Sequence, residues 1–258
     1  MAIITLTTDL GDKDIYQAAL KGSILKLLPA ASIVDITHNV SAFNVQQAAF
    51  ILKNSFHYFP DGTVHLIGID TVFTKDTKYL AIHYKNHFFV GADNGIFSLM
   101  FNADPDEIVE INIMQDLKFL HFPLADIFVK AACHLAGNGK LKDIGLPIDN
   151  IERKMNLQPV IEKNLIRGAV IYIDSFQNVI TNITKEFFNQ VQQGRNFTLS
   201  FKRNETINHL SWYYNEVPEG EKLCLFGISD HLEIAINKGN AAGLLGLSLG
   251  DTVILDFE

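Results

Sequence analysis

The chain has 258 residues, 48% of them hydrophobic and 19% charged, with a formal net charge of −8. That length and composition fit one large globular domain or two modest ones around a real core, and exclude a disordered chain. The acidic balance argues against a surface built to hold nucleic-acid phosphates, and no apolar run approaches the ~20 residues that a membrane-crossing helix needs.

The first half alternates strand and helix. Ile3 to Thr8 reads as a strand ending at Asp9. Ile15 to Leu28 has helical spacing and stops at Pro29. Ser32 to Thr37 is a second strand, and Asn44 can cap a helix running through Phe56. Thr63 to Ile69 is a third strand, ending at Asp70. Tyr79–His83 and His87–Gly91 form a hairpin around Lys85-Asn86. Asn94 to Phe101 is a short helix, Ile108 to Ile113 a strand, and Asp126 to Ala136 a helix closed by Gly137 and Gly139. This alternation predicts an α/β domain with a mainly parallel, covered sheet.

The tail is different. Ala169–Ile173, Asn178–Ile183, Phe197–Phe201, Lys222–Phe226, Leu232–Ile236 and Thr252–Phe257 read as strands separated by turn signals, which predicts an all-β, barrel-like domain. The expected division is residues 1–150 for the α/β domain, 151–166 for a linker and 167–258 for the β-domain. Cys133 and Cys224 lie in apolar segments with no CxxC pair and read as reduced core thiols. No signal-peptide pattern precedes the first strand, so a cytoplasmic location is expected.

Ligands of open α/β sheets bind beyond the carboxyl ends of the strands, where Asp9 and Asp70 fall. Thr7-Thr8-Asp9-Leu10-Gly11 makes a polar turn whose carboxylate can accept both hydroxyls of a ribose. The other reading of each acid is a helix cap or turn residue. In the tail, Asp174-Ser175-Phe176-Gln177-Asn178 closes an apolar strand, followed by Thr181 and Asn182. An acid, an aromatic and amides together can hold a cationic head, stack on a heterocycle and hydrogen-bond its edge, which points to a nucleoside-like ligand. Neither a GxSxG elbow nor a phosphate-binding loop is present, and Gly137-Asn138-Gly139 reads as a helix stop. His83 and His87 have i,i+4 spacing but sit in a hairpin. No metal site is expected.

Taken together, these blocks resemble the S-adenosyl-L-methionine (SAM) hydroxide adenosyltransferases, relatives of the fluorinases and chlorinases. The matching blocks are Thr7–Gly11, Asp35-Ile36-Thr37-His38, Phe89–Gly95, Asp174–Asn178 with Thr181-Asn182, and Leu232–Asn237 with Gly239, Ala241 and Ala242. The resemblance implies hydrolysis of SAM to adenosine and methionine without a cofactor. It also implies a homotrimer whose sites lie between one subunit's N-domain and a neighbour's C-domain. It assigns the ribose diol to Asp9, the methionine ammonium to Asp174 and the adenine edge to Asn178. Phe176 lines the pocket, Tyr213 falls near an adenine-flanking aromatic, and Ser229 stands beside the position of a carboxylate-binding serine, itself occupied by Ile228.

The resemblance makes Asp70 the water-positioning acid. Thr77 stands where the family has an arginine, Pro123 where it has a histidine, and Gln177 where it has a glycine. Lys75, Lys78 and His121 are the candidate substitutes. If residues 121–123 are extended, His121 points to the same side as Pro123, about 6–7 Å along the strand. An acid at residue 70 disfavours a halide nucleophile. The alternative reading is a catalytically impaired homologue that binds SAM or adenosine, or a relic pocket that serves only assembly.

Overall fold

A computed structural model describes residues 2–72, 74, 77–202 and 205–258. The chain forms two compact units, residues 1–155 and 156–258.

The first unit is a mixed sheet covered on both faces. Its strands are β1 (Ile3–Thr8), β2 (Ser32–Thr37), β3 (Val64–Gly68), β4 (Tyr79–Tyr84), β5 (His87–Ala92), β6 (Glu107–Ile111) and β7 (Gly145–Pro147). They lie in the order β2-β1-β3-β5-β4-β6-β7. The pairs β1–β2, β1–β3 and β3–β5 are parallel, and β4 and β7 run against their neighbours. Parallel strands need crossover helices, which cover both faces and make the strands apolar throughout. Hence Val64–Gly68 is wholly buried.

Helices α1 (Ile15–Leu27) and α4 (Ile127–Ala136) close one face, where Leu20, Ile24, Phe128 and Ala132 pack on Ile4, Leu6 and Leu66. Helices α2 (Val45–Lys53) and α3 (Ile96–Met100) close the other, where Ala48, Leu52 and Phe97 pack on Ile67, Leu80 and Phe89. Asn44 caps α2 by accepting a hydrogen bond from Gln47 N at 3.0 Å. The β4–β5 hairpin turns through Lys85 and Asn86, both left-handed at φ 49° and 62°, the geometry that matches strand twist.

Not every apolar residue of α1 faces the core. Leu20 and Ile24 are buried, whereas Ile15, Leu25 and Leu27 are exposed. The stop after α4 uses Asn138, left-handed at φ 67°, and Gly137 has an ordinary φ of −83°.

The second unit is an antiparallel, nearly closed barrel. Its strands are β8 (Val160–Ile161), β9 (Leu165–Ile173), β10 (Val179–Thr184), β11 (Phe197–Phe201), β12 (Glu205–Ile207), β13 (Lys222–Phe226), β14 (His231–Ile236) and β15 (Thr252–Phe257). Their order is β12-β11-β15-β9-β10-β14-β13, with β8 added to β9. Beyond β12, Ser211 N donates to Cys224 O of β13 at 2.8 Å, which draws the open edges together. The interior holds Val170, Leu199, Ile234 and Val253, plugged by Phe188 of α5 (Lys185–Gln192). A short helix α6 (Ala241–Leu245) follows β14.

Candidate functional site

In the first unit the chain leaves β1 for β2 on one side, then crosses to β3 on the other. The carboxyl ends of β1 and β3 are therefore the switch point of the sheet, where a crevice opens between diverging crossovers. Asp9 and Asp70 stand there. Thr8 pairs with Gly68, and Asp9 N donates to Gly68 O at 3.3 Å.

The loop carrying Asp9 is tied down. Gly11 N donates to His38 O at 2.7 Å, Val40 N donates to Thr8 O at 3.3 Å, and Phe43 N donates to Asp9 Oδ2 at 2.9 Å. The His38 ring is buried between Thr8 Oγ1, 2.7 Å from its Nδ1, and Asp35 Oδ1, 3.1 Å from its Nε2. These contacts explain the Asp35–His38 block: it fastens the end of β2 to the end of β1. Asp9 keeps lone pairs for a diol, since a carboxylate offers about four acceptor sites.

Asp70 is exposed and left-handed at φ 45°. A non-glycine residue there costs on the order of 1 kcal/mol and persists only where surroundings impose it. Asn94 braces the adjoining peptides, with Nδ2 donating to Ile69 O at 2.9 Å and lying 3.5 Å from Asp70 O. Gly68 lets Leu124 approach: a Cβ there would lie 2.5 Å from Leu124 Cδ2.

The candidate substitutes are differently placed. Thr77 Oγ1 accepts from Thr74 N at 3.0 Å and lies 3.2 Å from Val72 O, so it pins its own loop. Lys78 is exposed, with Nζ 3.6 Å from Glu110 Oε2. Lys75 lies outside the described residues. Pro123 is buried at the start of a 3-10 turn, Pro123–Ala125. His121 is exposed in a turn where Phe122 N donates to Phe119 O at 2.8 Å. The segment is therefore not extended, and the strand spacing expected between His121 and Pro123 does not apply.

In the second unit, Asp174 and Asn178 close the turn between β9 and β10. Asp174 Oδ1 accepts from Asn178 N at 2.8 Å, and Asp174 Oδ2 accepts from Asn178 Nδ2 at 3.0 Å. This clamp fixes the carboxylate and leaves Asn178 Oδ1 and one amide hydrogen for a heterocycle edge. Gln177, at φ 67°, occupies the turn position that glycine fills most easily. Phe176 and Tyr213 are 80% and 68% exposed, so their faces are open for stacking. Ser229 Oγ is buried and has no hydrogen-bond partner among the described residues.

One group escaped the sequence reading. Glu233 of β14 is buried, and Tyr214 donates its hydroxyl to Glu233 Oε2 at 2.8 Å. Burial pushes the Glu233 carboxyl above its ordinary value; the Tyr214 bond pulls it down, and the charge of nearby Asp174 adds to the rise. Tyr214 is likewise raised, by burial and then by Glu233. The signals in the sequence were an acid inside an apolar strand, Leu232-Glu233-Ile234, and its place in the matching block Leu232–Asn237, which gave it no role.

Residues 4–145 match the family profile described as SAM hydroxide adenosyltransferase N-terminal domain, and residues 168–254 match its C-terminal domain. The chain belongs to the SAM hydroxide adenosyltransferase family. The (R)-S-adenosyl-L-methionine hydrolase of Methanocaldococcus jannaschii is 27% identical to it over 262 residues, covering 97% of this chain and 94% of its own. A fluorinase of Actinopolyspora mzabensis is 32% identical over 215 residues, covering 71% and 72%. A crystal structure of an uncharacterized conserved protein from Thermotoga maritima superposes with a TM-score of 0.87 at 29% identity, covering 98% of this chain and 99% of that one. This member of the SAM hydroxide adenosyltransferase family contains no helix, among its described residues, long and apolar enough to cross a membrane.

Proposed function

We propose that this protein binds SAM and hydrolyses it to adenosine and L-methionine. Water or hydroxide attacks ribose C5′, a C–O bond forms, and the C5′–S bond breaks with its electron pair leaving on sulfur. The proton of the attacking water passes to solvent or to Asp70. Because the leaving group is a neutral thioether released from a sulfonium, the protein's task is to position and desolvate the nucleophile. Family membership supports this reading, and the observation that carries it is Asp70, an acid held in a strained backbone at the sheet's switch point.

In this reading Asp9 takes the ribose diol and Asp174 the α-ammonium. Asn178 reads the adenine edge between Phe176 and Tyr213, and the unpartnered Ser229 hydroxyl meets the methionine carboxylate. A homotrimer, in which neighbouring subunits contribute these residues, is part of the proposal.

A second reading is a SAM- or adenosine-binding homologue without turnover. It is favoured by Thr77 and Lys78, whose polar atoms are engaged with Val72 and Thr74 and with Glu110. Liquid chromatography of SAM incubated with the purified protein separates the two. Adenosine and methionine in equal amounts support hydrolysis; intact SAM with calorimetric binding supports the second reading.

A further inference from the structure

At the end of the first sheet opposite the one that carries Asp9 and Asp70 lies a cavity of about 450 Å³, within the range of small-molecule sites. It opens where α2 ends at Lys53, β4 ends at Tyr84 and β5 begins at His87. Its apolar wall is Phe56, Phe59 and Met100. Phe56 stands edge-on to the rings of His57 and His87, with centroids 5.9 and 5.3 Å away.

The polar wall is cationic in an otherwise acidic protein. Lys53 and Lys85 supply the positive charge against a single acid, Asp61, with the rings of His57 and His87 beside them and His87 held below its ordinary pKa by burial. Asp61 is already engaged, accepting from Asn86 Nδ2 at 3.2 Å. Lys53 is half-buried and makes no ion pair among the described residues. Burial alone depresses its ammonium, a cost that a bound anion would offset. Lys85 Nζ lies 5.4 Å above the Tyr84 ring.

His87 is oriented from behind. Thr5 Oγ1 lies 2.7 Å from His65 Nδ1, and His65 Nε2 lies 3.1 Å from His87 Nδ1. The buried His65 is held neutral, its pKa pushed down to about 3 by burial and by His87. This chain fixes the His87 ring and leaves Nε2 as the nitrogen not committed to His65. Among the described residues no group of three or more His, Cys, Asp or Glu is arranged to hold a metal ion.

We propose that this cavity is a second ligand site, which takes a small organic anion. The charged end meets Lys53 and Lys85, and the apolar part lies on Phe56, Phe59 and Met100. The inference stands apart from the SAM reading, since it uses none of the same residues.

Benzoate is the test probe, with benzyl alcohol as its uncharged counterpart, followed by NMR of the His57 and His87 ring protons. Saturable shifts with benzoate, at least tenfold weaker binding of benzyl alcohol, and at least tenfold loss in Lys53→Met are expected. Lys85→Met gives a second measure if Lys53→Met fails to fold. No saturation with benzoate, equal binding of the alcohol, or unchanged affinity in the folded lysine variants would overturn the proposal.

Discussion

Tyr214 donates its hydroxyl to Glu233 Oε2 at 2.8 Å, nineteen positions along the chain, from the segment before β13 to the middle of β14. Gly227 backs the pair: a Cβ there would fall 1.7 Å from Glu233 Oε1. Removing the hydroxyl strands a buried carboxylate. Tyr214→Phe should therefore lower stability by about 1.5–3 kcal/mol, the range for a hydrogen bond to a charged group. Urea denaturation at pH 7 measures this, and a loss below about 0.5 kcal/mol would mean that the bond contributes little.

The raised Glu233 carboxyl also sets a pH dependence. The native state holds this proton more tightly than the unfolded chain, whose glutamate has an ordinary value of 4.5. Stability from this group is complete below 4.5 and is lost as pH rises through the native value. Glu233→Gln should flatten the decline of stability above pH 4.5. Parallel pH curves for the two proteins would remove Glu233 as its source.

His65 works in the opposite direction. Its pKa is pushed down to about 3, so the unfolded chain takes up a proton below 6.5 that the native state refuses. Stability is complete above pH 6.5 and is lost as pH falls towards 3, by on the order of 5 kcal/mol for a shift of this size. His65→Gln should reduce the acid slope while leaving the fold intact at pH 7. Unfolding curves collected between pH 3 and 7 decide this, and an unchanged slope counts against it.

Much of the fold was legible because local chemistry and tertiary structure agree. The Lys85-Asn86 turn, the Asn44 cap and the strand ending at Asp9 each carry a short-range signal. The misreadings have physical causes. The apolar periodicity of α1 spans more than one face, so spacing alone could not tell that Ile15 and Leu27 stay exposed while Leu20 and Ile24 are buried. Helix α5 was missed because eight residues give barely two turns, although Thr184 accepts from Phe187 N at 3.3 Å as its cap. His87 drew attention through its spacing from His83, yet its hydrogen-bonding partner is His65, on the neighbouring strand β3. The Asp174–Asn178 grouping was readable because all of it falls within five residues. The Tyr214–Glu233 pair was not, because β13 intervenes between its members.

Gln177 offers a test of the strained turn. At φ 67° a glycine would relieve the Cβ clash, so Gln177→Gly should stabilise the protein by about 0.5–1 kcal/mol despite the added freedom of the unfolded chain. Thermal unfolding would show a higher midpoint. A lower one would mean that the Gln177 side chain, whose Nε2 lies 3.4 Å from Asp174 O, supports the turn more than its backbone strains it.

The ligand assignments predict a split between binding and turnover. Asp70→Asn should cut hydrolysis by about 10²–10⁴-fold, the usual worth of a positioned acid or base, with SAM affinity nearly unchanged. Asp174→Ala should weaken SAM by about tenfold or more through loss of a charge-assisted contact, and adenosine much less. Calorimetry with both ligands distinguishes these cases. Equal weakening of SAM and adenosine would contradict the placement of Asp174 at the amino-acid end.

The stitching of two loops around Asp9 carries a consequence for affinity. Val40 and Gly11 tie the β1 and β2 ends together through backbone bonds, and Phe43 N holds the Asp9 carboxylate itself, so the fold alone positions this group. The ordering entropy is spent during folding, so in the proposed role of Asp9 a ribose engaging it would lose mainly its own freedom. Tight recognition of a nucleoside can then be had from few contacts, and loosening this corner would show first as faster ligand dissociation.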